Sequence, residues 1–308
     1  MRALRTTLAI VLVLWATLAT LAARQSPPAP KSSLDRVRAG GLLRLGYRVD
    51  ARPLSFRDEN GRAAGYSVML CQSIVDAIRR EPGLGATAVD WVPVTTEDRF
   101  TAIEQGRADI ICGASTVTLE RRERVAFSIP IFIGGIGAVV RADAPEDLRV
   151  VLAGQAQTLD PIWHASAKEP LKARTFAAVA GTTADTWLTS RIRELNLTSD
   201  VTRAGGYEAG VQAVADKKVD ALFGERAILL DAVHRSPSSN ELSFLDRFFT
   251  YEPLAFALAR GDEDLRLAVD RTLSRLYTSG GIRPVYAAWF GEPDQATLNF
   301  LNLVAIPQ

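Results

Sequence analysis

Asp109-Ile-Ile-Cys-Gly-Ala-Ser-Thr-Val-Thr-Leu-Glu-Arg121 joins an apolar strand to a polar turn and an arginine. Ile110 to Cys112 reads as a strand that runs into Gly113. Small hydroxyl residues follow, and Arg121 comes five positions after Thr116. Hydroxyls and free backbone N–H groups at a strand end, with a guanidinium one turn on, suit a carboxylate. The planar fork of Arg121 can hold both oxygens, and Thr116 can donate a third hydrogen bond. The implied ligand is a small carboxylate, with an amino acid as first candidate. The same residues also fit a Ser/Thr turn ahead of an exposed helix with a solvated arginine, so the rest of the chain has to decide.

Working outward, strands alternate with helices. Leu34 to Gly40 reads as a short helix closed by glycine, and Leu42 to Tyr47 as a strand. Ser67 to Arg80 is a helix with Val68, Cys71, Ile74, Val75 and Ile78 on one face. Ala88 to Val94 is a strand, and Asp98 to Gln105 a helix ended by Gly106. A second unit of the same rhythm starts near Asp143. Its strand Arg174 to Val179 leads to Gly181-Thr-Thr183, then helices follow over Ala184 to Leu195 and Tyr207 to Asp216. Val219 to Phe223 is a strand ending at Gly224-Glu225, and Leu254 to Ala259 a strand reading back. Helices follow over Leu265 to Leu276 and Pro284 to Phe290. This alternation indicates α/β architecture with mostly parallel sheets. Residues 148–172, with Trp163 and His164, fit no such pattern and read as a surface insertion.

Composition narrows the function. At 308 residues, 47% hydrophobic and 23% charged, the chain can build two cores. A net charge of +1 gives no reason to expect nucleic acid. Two histidines, two cysteines and no CxxC or HxxxH spacing leave no support for a metal site, and no cofactor is implied. Arg2 and Arg5 precede an apolar run from Leu8 to Ala22, with small residues Ala19, Ala22 and Ala23 after them. Residues 1–23 thus read as a signal peptide, 24–33 as a linker, and the protein as exported. An uncleaved membrane anchor is the alternative, although the run is short against the roughly 20 residues a span needs. In an oxidising compartment Cys71 and Cys112 could pair; two buried free thiols fit their apolar contexts as well.

Polar groups gather at strand ends, where open α/β sheets bind ligands. Arg48 ends the first strand, and Thr96 and Arg99 follow the Ala88–Val94 strand. Ser115, Thr116 and Arg121 follow Cys112, while Thr183 and Glu225 end strands of the second unit. Arginines and hydroxyls suit carboxylates, and Glu225 suits an ammonium. That is the chemistry of an amino acid.

At this point the chain resembles the amino-acid-binding family of periplasmic solute-binding proteins of ABC transporters. The carriers are Leu34-Asp-Arg-Val, Pro53-Leu-Ser-Phe, Gly65-Tyr, Gln105-Gly-Arg-Ala-Asp109, Thr116 with Leu119-Glu-Arg-Arg122, and Ala126-Phe-Ser. Farther on come Val179-Ala-Gly-Thr-Thr183, Val219-Asp-Ala-Leu-Phe-Gly-Glu-Arg-Ala227 and Trp289-Phe-Gly291. The resemblance implies a two-lobed periplasmic-binding-protein fold, each lobe a mostly parallel sheet flanked by helices. Lobe one would be residues 34–137 with 252–295, lobe two 141–248, and 296–308 a C-terminal tail. Two crossing hinge segments, Ile136–Arg141 and Thr250–Phe256, would join them. Closure on a ligand, a monomer and a membrane permease as partner are implied too.

Within that family the chain looks most like glutamate/aspartate-binding proteins. On that resemblance Arg48 and Arg99 contact a side-chain carboxylate, with Thr96 beside them. Thr116 and Arg121 form the α-carboxylate clamp, Thr183 is the hydroxyl of lobe two, and Glu225 holds the α-amino group. The chain departs from the pattern at Ala114, where a serine is expected, at Tyr207, where a histidine is expected, and at Glu225, one methylene longer than aspartate. The competing functions are a periplasmic enzyme on the same fold, of the cyclohexadienyl dehydratase kind, and an amino-acid sensor. Catalysis would need a proton donor in the cleft, and an arginine-rich pocket is expected to keep Glu225 ionised.

Overall fold

The computed structural model describes residues 32–155 and 166–307. The expected signal peptide, nearly all of the linker, Trp163 and His164 lie outside the described residues. Fourteen strands form among the described residues: β1 Leu42–Arg48, β2 Asp50–Ala51, β3 Ser55–Arg57, β4 Ala63–Ala64, β5 Ala88–Val94, β6 Ile110–Thr116, β7 Ala126–Phe127, β8 Phe132–Gly134, β9 Ile136–Arg141, β10 Thr175–Val179, β11 Asp200–Ala204, β12 Ala221–Glu225, β13 Leu242–Phe244 and β14 Glu252–Leu258.

Two sheets carry the two lobes. The first has the order β5-β1-β6-β14-β7, with β8 also on β14. Here β5, β1 and β6 run parallel, and β14 runs antiparallel to β6, β7 and β8. The second has the order β11-β10-β12-β9-β13, parallel across β11, β10 and β12 and antiparallel at β9 and β13. Central strands are apolar almost throughout because helices cover both faces. Leu43 and Leu45 of β1 and Val139 and Val140 of β9 are fully buried. Helix Tyr66–Ile78 turns Val68, Cys71, Ile74, Val75 and Ile78 inward at helical spacing. Helix Glu263–Ser279 packs on it through Leu265, Ala268 and Val269.

Some elements differ from the sequence reading. The strand expected at Val219–Phe223 lies two residues later, so Glu225 is its last residue. Edge strand β11, whose short sequence is mostly polar, and helix Arg226–Arg235, which buries Ile228, Leu229, Ala232 and Val233 at helical spacing, were not expected. The stretch read as a C-terminal tail contains helix Gln295–Val304, which buries Leu298 and Leu301. The segment read as a surface insertion begins inside helix Glu146–Ala153, whose Leu148 and Leu152 enter the core of the second lobe.

Cys71 and Cys112 form a disulfide, tying helix Tyr66–Ile78 to β6 just ahead of the polar turn. Their separation of 41 residues implies about 4 kcal/mol of stabilisation through the unfolded chain on the loop-entropy model.

The crossings lie a few residues earlier in the chain than expected. Ile136–Arg141 and most of Thr250–Phe256 are ladder strands, β9 and β14. The first crossing is Gly135, between β8 and β9; the second is 245–251, between β13 and β14. They run side by side: Ile136 N donates to Thr250 Oγ1 at 3.0 Å. A Cβ at position 135 would lie 2.0 Å from the carbonyl oxygen of Thr250, so only glycine lets the backbones approach this closely. Gly135→Ala is therefore expected to lower the unfolding free energy by about 2–3 kcal/mol, as overpacking against backbone does. Urea titration measures it, and an unshifted midpoint would mean that the crossings separate freely.

Candidate functional site

The carboxyl ends of β1, β5 and β6 bring three arginines together. Arg48 closes β1 and is buried. Gly113 of β6 leaves room for its stem, since a Cβ there would sit 3.2 Å from Arg48 Cγ. Arg48 Nε and Nη2 donate to Asp50 Oδ1 at 3.0 and 2.8 Å. The guanidinium read as a ligand contact thus has a carboxylate of its own. Arg99 opens helix Arg99–Glu104 and is 4% exposed. It lies over the Phe100 ring at 4.3 Å, and Nη2 donates to Gly181 O of the other lobe at 3.4 Å. Arg121 lies over the same ring at 5.4 Å and donates through Nη1 to Thr116 O at 2.9 Å.

Neither Arg99 nor Arg121 has an ion-pair partner among the described residues. Burial, and then the charges of Arg121 and Arg48, pull Arg99 down to about 9. Burial lowers Arg121 too, against the attraction of Glu252. Thr96 is buried between these groups and the second lobe, with its Oγ1 unpartnered among the described residues. Gly181 faces it, its added Cβ falling 3.7 Å from Thr96 Cγ2.

The second lobe supplies Thr183, Tyr207 and Glu225. Thr183 is the first residue of helix Thr183–Glu194, capped by Thr182. The Tyr207 ring packs on Gly224, where a Cβ would lie 2.6 Å from Tyr207 Cε1. Its hydroxyl accepts from Glu225 N at 3.3 Å, and burial pushes the phenol up to about 12. Glu225 ends β12 and caps helix Arg226–Arg235, with Oε2 accepting from Ile228 N at 3.0 Å. Part of the residue reaches solvent, yet Oε1 is sealed and has no partner among the described residues. Burial raises this carboxyl to about 7; Glu252 adds to the rise, while the N–H groups of Ile228 and Ala227 oppose it. An arginine-rich pocket was expected to keep Glu225 ionised; burial instead moves it up to about 7.

Ser115 does not join the group through its side chain. Successive residues of a strand face opposite sides, so its hydroxyl points away from that of Thr116. Glu252, which the sequence reading did not single out, lies at the centre. Its Oε2 accepts from Thr116 Oγ1 and from Thr183 Oγ1, each at 2.8 Å, and its Oε1 accepts from Thr250 Oγ1 at 2.8 Å. The antiparallel register Leu254↔Thr116 places it there, just beyond the end of β6. A signal was present in the carboxylate directly before a strand reading back. Beside the group lies a cavity of ≈ 820 Å³ lined by Asp50, Phe56, Gly206, Tyr207 and Trp289, among others.

Among the described residues no cluster could hold a metal ion, and no helix is long and apolar enough to cross a membrane. A family model described as bacterial extracellular solute-binding proteins, family 3, matches residues 43–292. The chain is 23% identical over 276 residues to a glutamate/aspartate import solute-binding protein of Salmonella typhimurium, covering 88% of this chain and 83% of that protein. It is 23% identical over 266 residues to the L-cystine-binding protein TcyJ of Escherichia coli, covering 85% and 88%. A solved structure of a mutant of ArgBP from T. maritima superposes with a TM-score of 0.67 at 27% identity, covering 84% of this chain and 99% of that one. The two-lobed fold is shared.

Glu225 carries a stability signature. Its folded value near 7 lies above its ordinary value of 4.5, so the folded state binds the extra proton. Its contribution turns unfavourable as pH rises through 4.5 and reaches its full cost above 7, about 3 kcal/mol. Glu225→Gln is expected to gain that much stability relative to the parent between pH 4 and pH 8. Denaturant unfolding at both pH values checks it; a pH-independent difference would mean that the carboxyl ionises normally.

Proposed function

We propose a ligand for a chain that belongs to the bacterial extracellular solute-binding proteins, family 3: an α-amino acid, glutamate or aspartate, held between the lobes and passed to the membrane permease of an ABC importer. One observation carries the reading. Two guanidiniums, the buried Arg99 and the half-buried Arg121, have no ion-pair partner among the described residues, and in the other lobe the sealed carboxylate oxygen Glu225 Oε1 has no hydrogen-bond partner among them. Buried charges and polar groups need partners. A dicarboxylic amino acid supplies two carboxylates and one ammonium.

In this reading Arg121 takes the α-carboxylate with a backbone N–H near Ser115 and Thr116. Arg99 and Thr96 take the side-chain carboxylate. Glu225 takes the ammonium, flanked by Thr183 and Tyr207, and Arg48, neutralised by Asp50, lines the pocket. The relative from Salmonella typhimurium, whose name states glutamate/aspartate import, supports the choice. Residues 34–134 with 252–304 form one closing unit and 136–244 the other, in an exported monomer of the periplasm. A ligand touching both units favours the closed state, because its affinity for that state is higher.

A second reading, a general-acid role for Glu225, rests on its value near 7. Turnover of a cyclohexadienyl substrate that Glu225→Gln abolishes would establish it, and binding of an amino acid without turnover would dismiss it.

L-glutamate or L-aspartate is expected to outcompete glutamine, arginine and neutral amino acids in a displacement assay; victory for any of these would refute the acidic ligand. Arg121→Ala is expected to weaken binding of the winning ligand by about 2–5 kcal/mol, the usual cost of removing one partner of a desolvated charge pair. Calorimetry giving near-parental affinity, with an unchanged melting curve, would remove Arg121 from the site.

A further inference from the structure

Thr116 and Thr183 reach the cleft from different lobes, and both hydroxyls meet one oxygen, Glu252 Oε2, at 2.8 Å. An ionised carboxylate only accepts, so each threonine donates here. A hydroxyl has a single proton, and after it is committed only lone pairs remain. The cleft therefore shows the ligand two hydroxyl acceptors at this point, not two donors. Glu252 is itself fixed from the other side, since Oε1 accepts from Thr250 Oγ1 at 2.8 Å. Glu225, whose Oε1 is sealed and without a partner among the described residues, lies close enough to Glu252 to feel its charge.

We infer that Glu252 is a specificity-determining positioning residue. By holding the protons of Thr116 and Thr183, it turns both hydroxyls into acceptors and selects a ligand that carries an ammonium group over the matching 2-oxo acid. The inference rests on the amino-acid reading and refines it. An ammonium has three N–H groups to give to such acceptors. A 2-oxo group has none and meets lone pairs instead, which leaves buried acceptors unpaired on both sides. The carboxylates of the ligand go to the guanidiniums, which do not depend on the threonine protons.

Removing Glu252 frees both protons to rotate toward the ligand. A residue that merely braced the two lobes would act on every ligand alike; a residue that sets hydrogen-bond polarity acts on the ratio between two ligands of the same shape. The experiment is calorimetry of the full chain, its Glu252→Ala variant and its Glu252→Gln variant with L-glutamate and with 2-oxoglutarate. Parent protein is expected to prefer L-glutamate strongly, and Glu252→Ala to lose at least tenfold of that preference. Glu252→Gln keeps the shape and loses less; should Glu252→Ala fail to fold, a drop of threefold or more in the Gln variant carries the test. Affinities that fall in parallel, or an unchanged ratio, overturn the inference while leaving an amino-acid ligand intact. Parent protein that binds neither compound overturns the acidic-ligand reading and this inference with it.

Discussion

Three guanidinium groups gathered at one end of one sheet, two of them buried, set the terms for the rest of the structure. A buried cation needs a counter-charge or hydrogen bonds, and the three cannot share one solution. Arg48 has Asp50 two residues away. Arg121 has the carbonyl of Thr116 and the field of Glu252. Arg99 has the face of Phe100 and a long hydrogen bond to Gly181 O, while burial and the charges of Arg121 and Arg48 lower its proton affinity. A site left in this condition is built to accept negative charge from outside.

The second lobe answers with the opposite character. Thr183, Tyr207 and Glu225 bring oxygen atoms, and one of them, Glu225 Oε1, has no partner among the described residues. Glu252 belongs by sequence to the first lobe but bonds to hydroxyls of both. Its place follows from β14, whose antiparallel run beside β6 is fixed by Leu254 opposite Thr116. Charge complementarity inside the cleft is thus a consequence of strand register.

Much of this was legible in the sequence, for identifiable reasons. The face Val68, Cys71, Ile74, Val75 and Ile78 announces its helix because burial selects a 3.6-residue period. Arg99, Thr116, Arg121, Thr183 and Glu225 could be placed together because parallel strands end on one side. What escaped depends on pairing partners far apart in the chain. The Arg48–Asp50 pair requires a turn after β1 whose side-chain directions local sequence does not state. Glu252 looks like an ordinary charge ahead of a strand until register brings it to Thr116. The raised proton affinity of Glu225 depends on burial, which local sequence does not state. Cys71 and Cys112, left open between bridge and free thiols, needed the distance between a helix and a strand.

Gly135 and Thr250 touch where the chain leaves the first lobe and returns to it. The whole second lobe is consequently an insert whose two ends meet at a single point. Such an insert can be exchanged as a cassette without moving the frame that receives it. The frame keeps the guanidiniums and the disulfide; the cassette brings Thr183, Tyr207 and Glu225. Grafting a different cassette at residues 136 and 249 would replace the groups it brings to the cleft and leave those of the frame in place, so the two halves of the cleft are free to evolve, or to be engineered, one at a time.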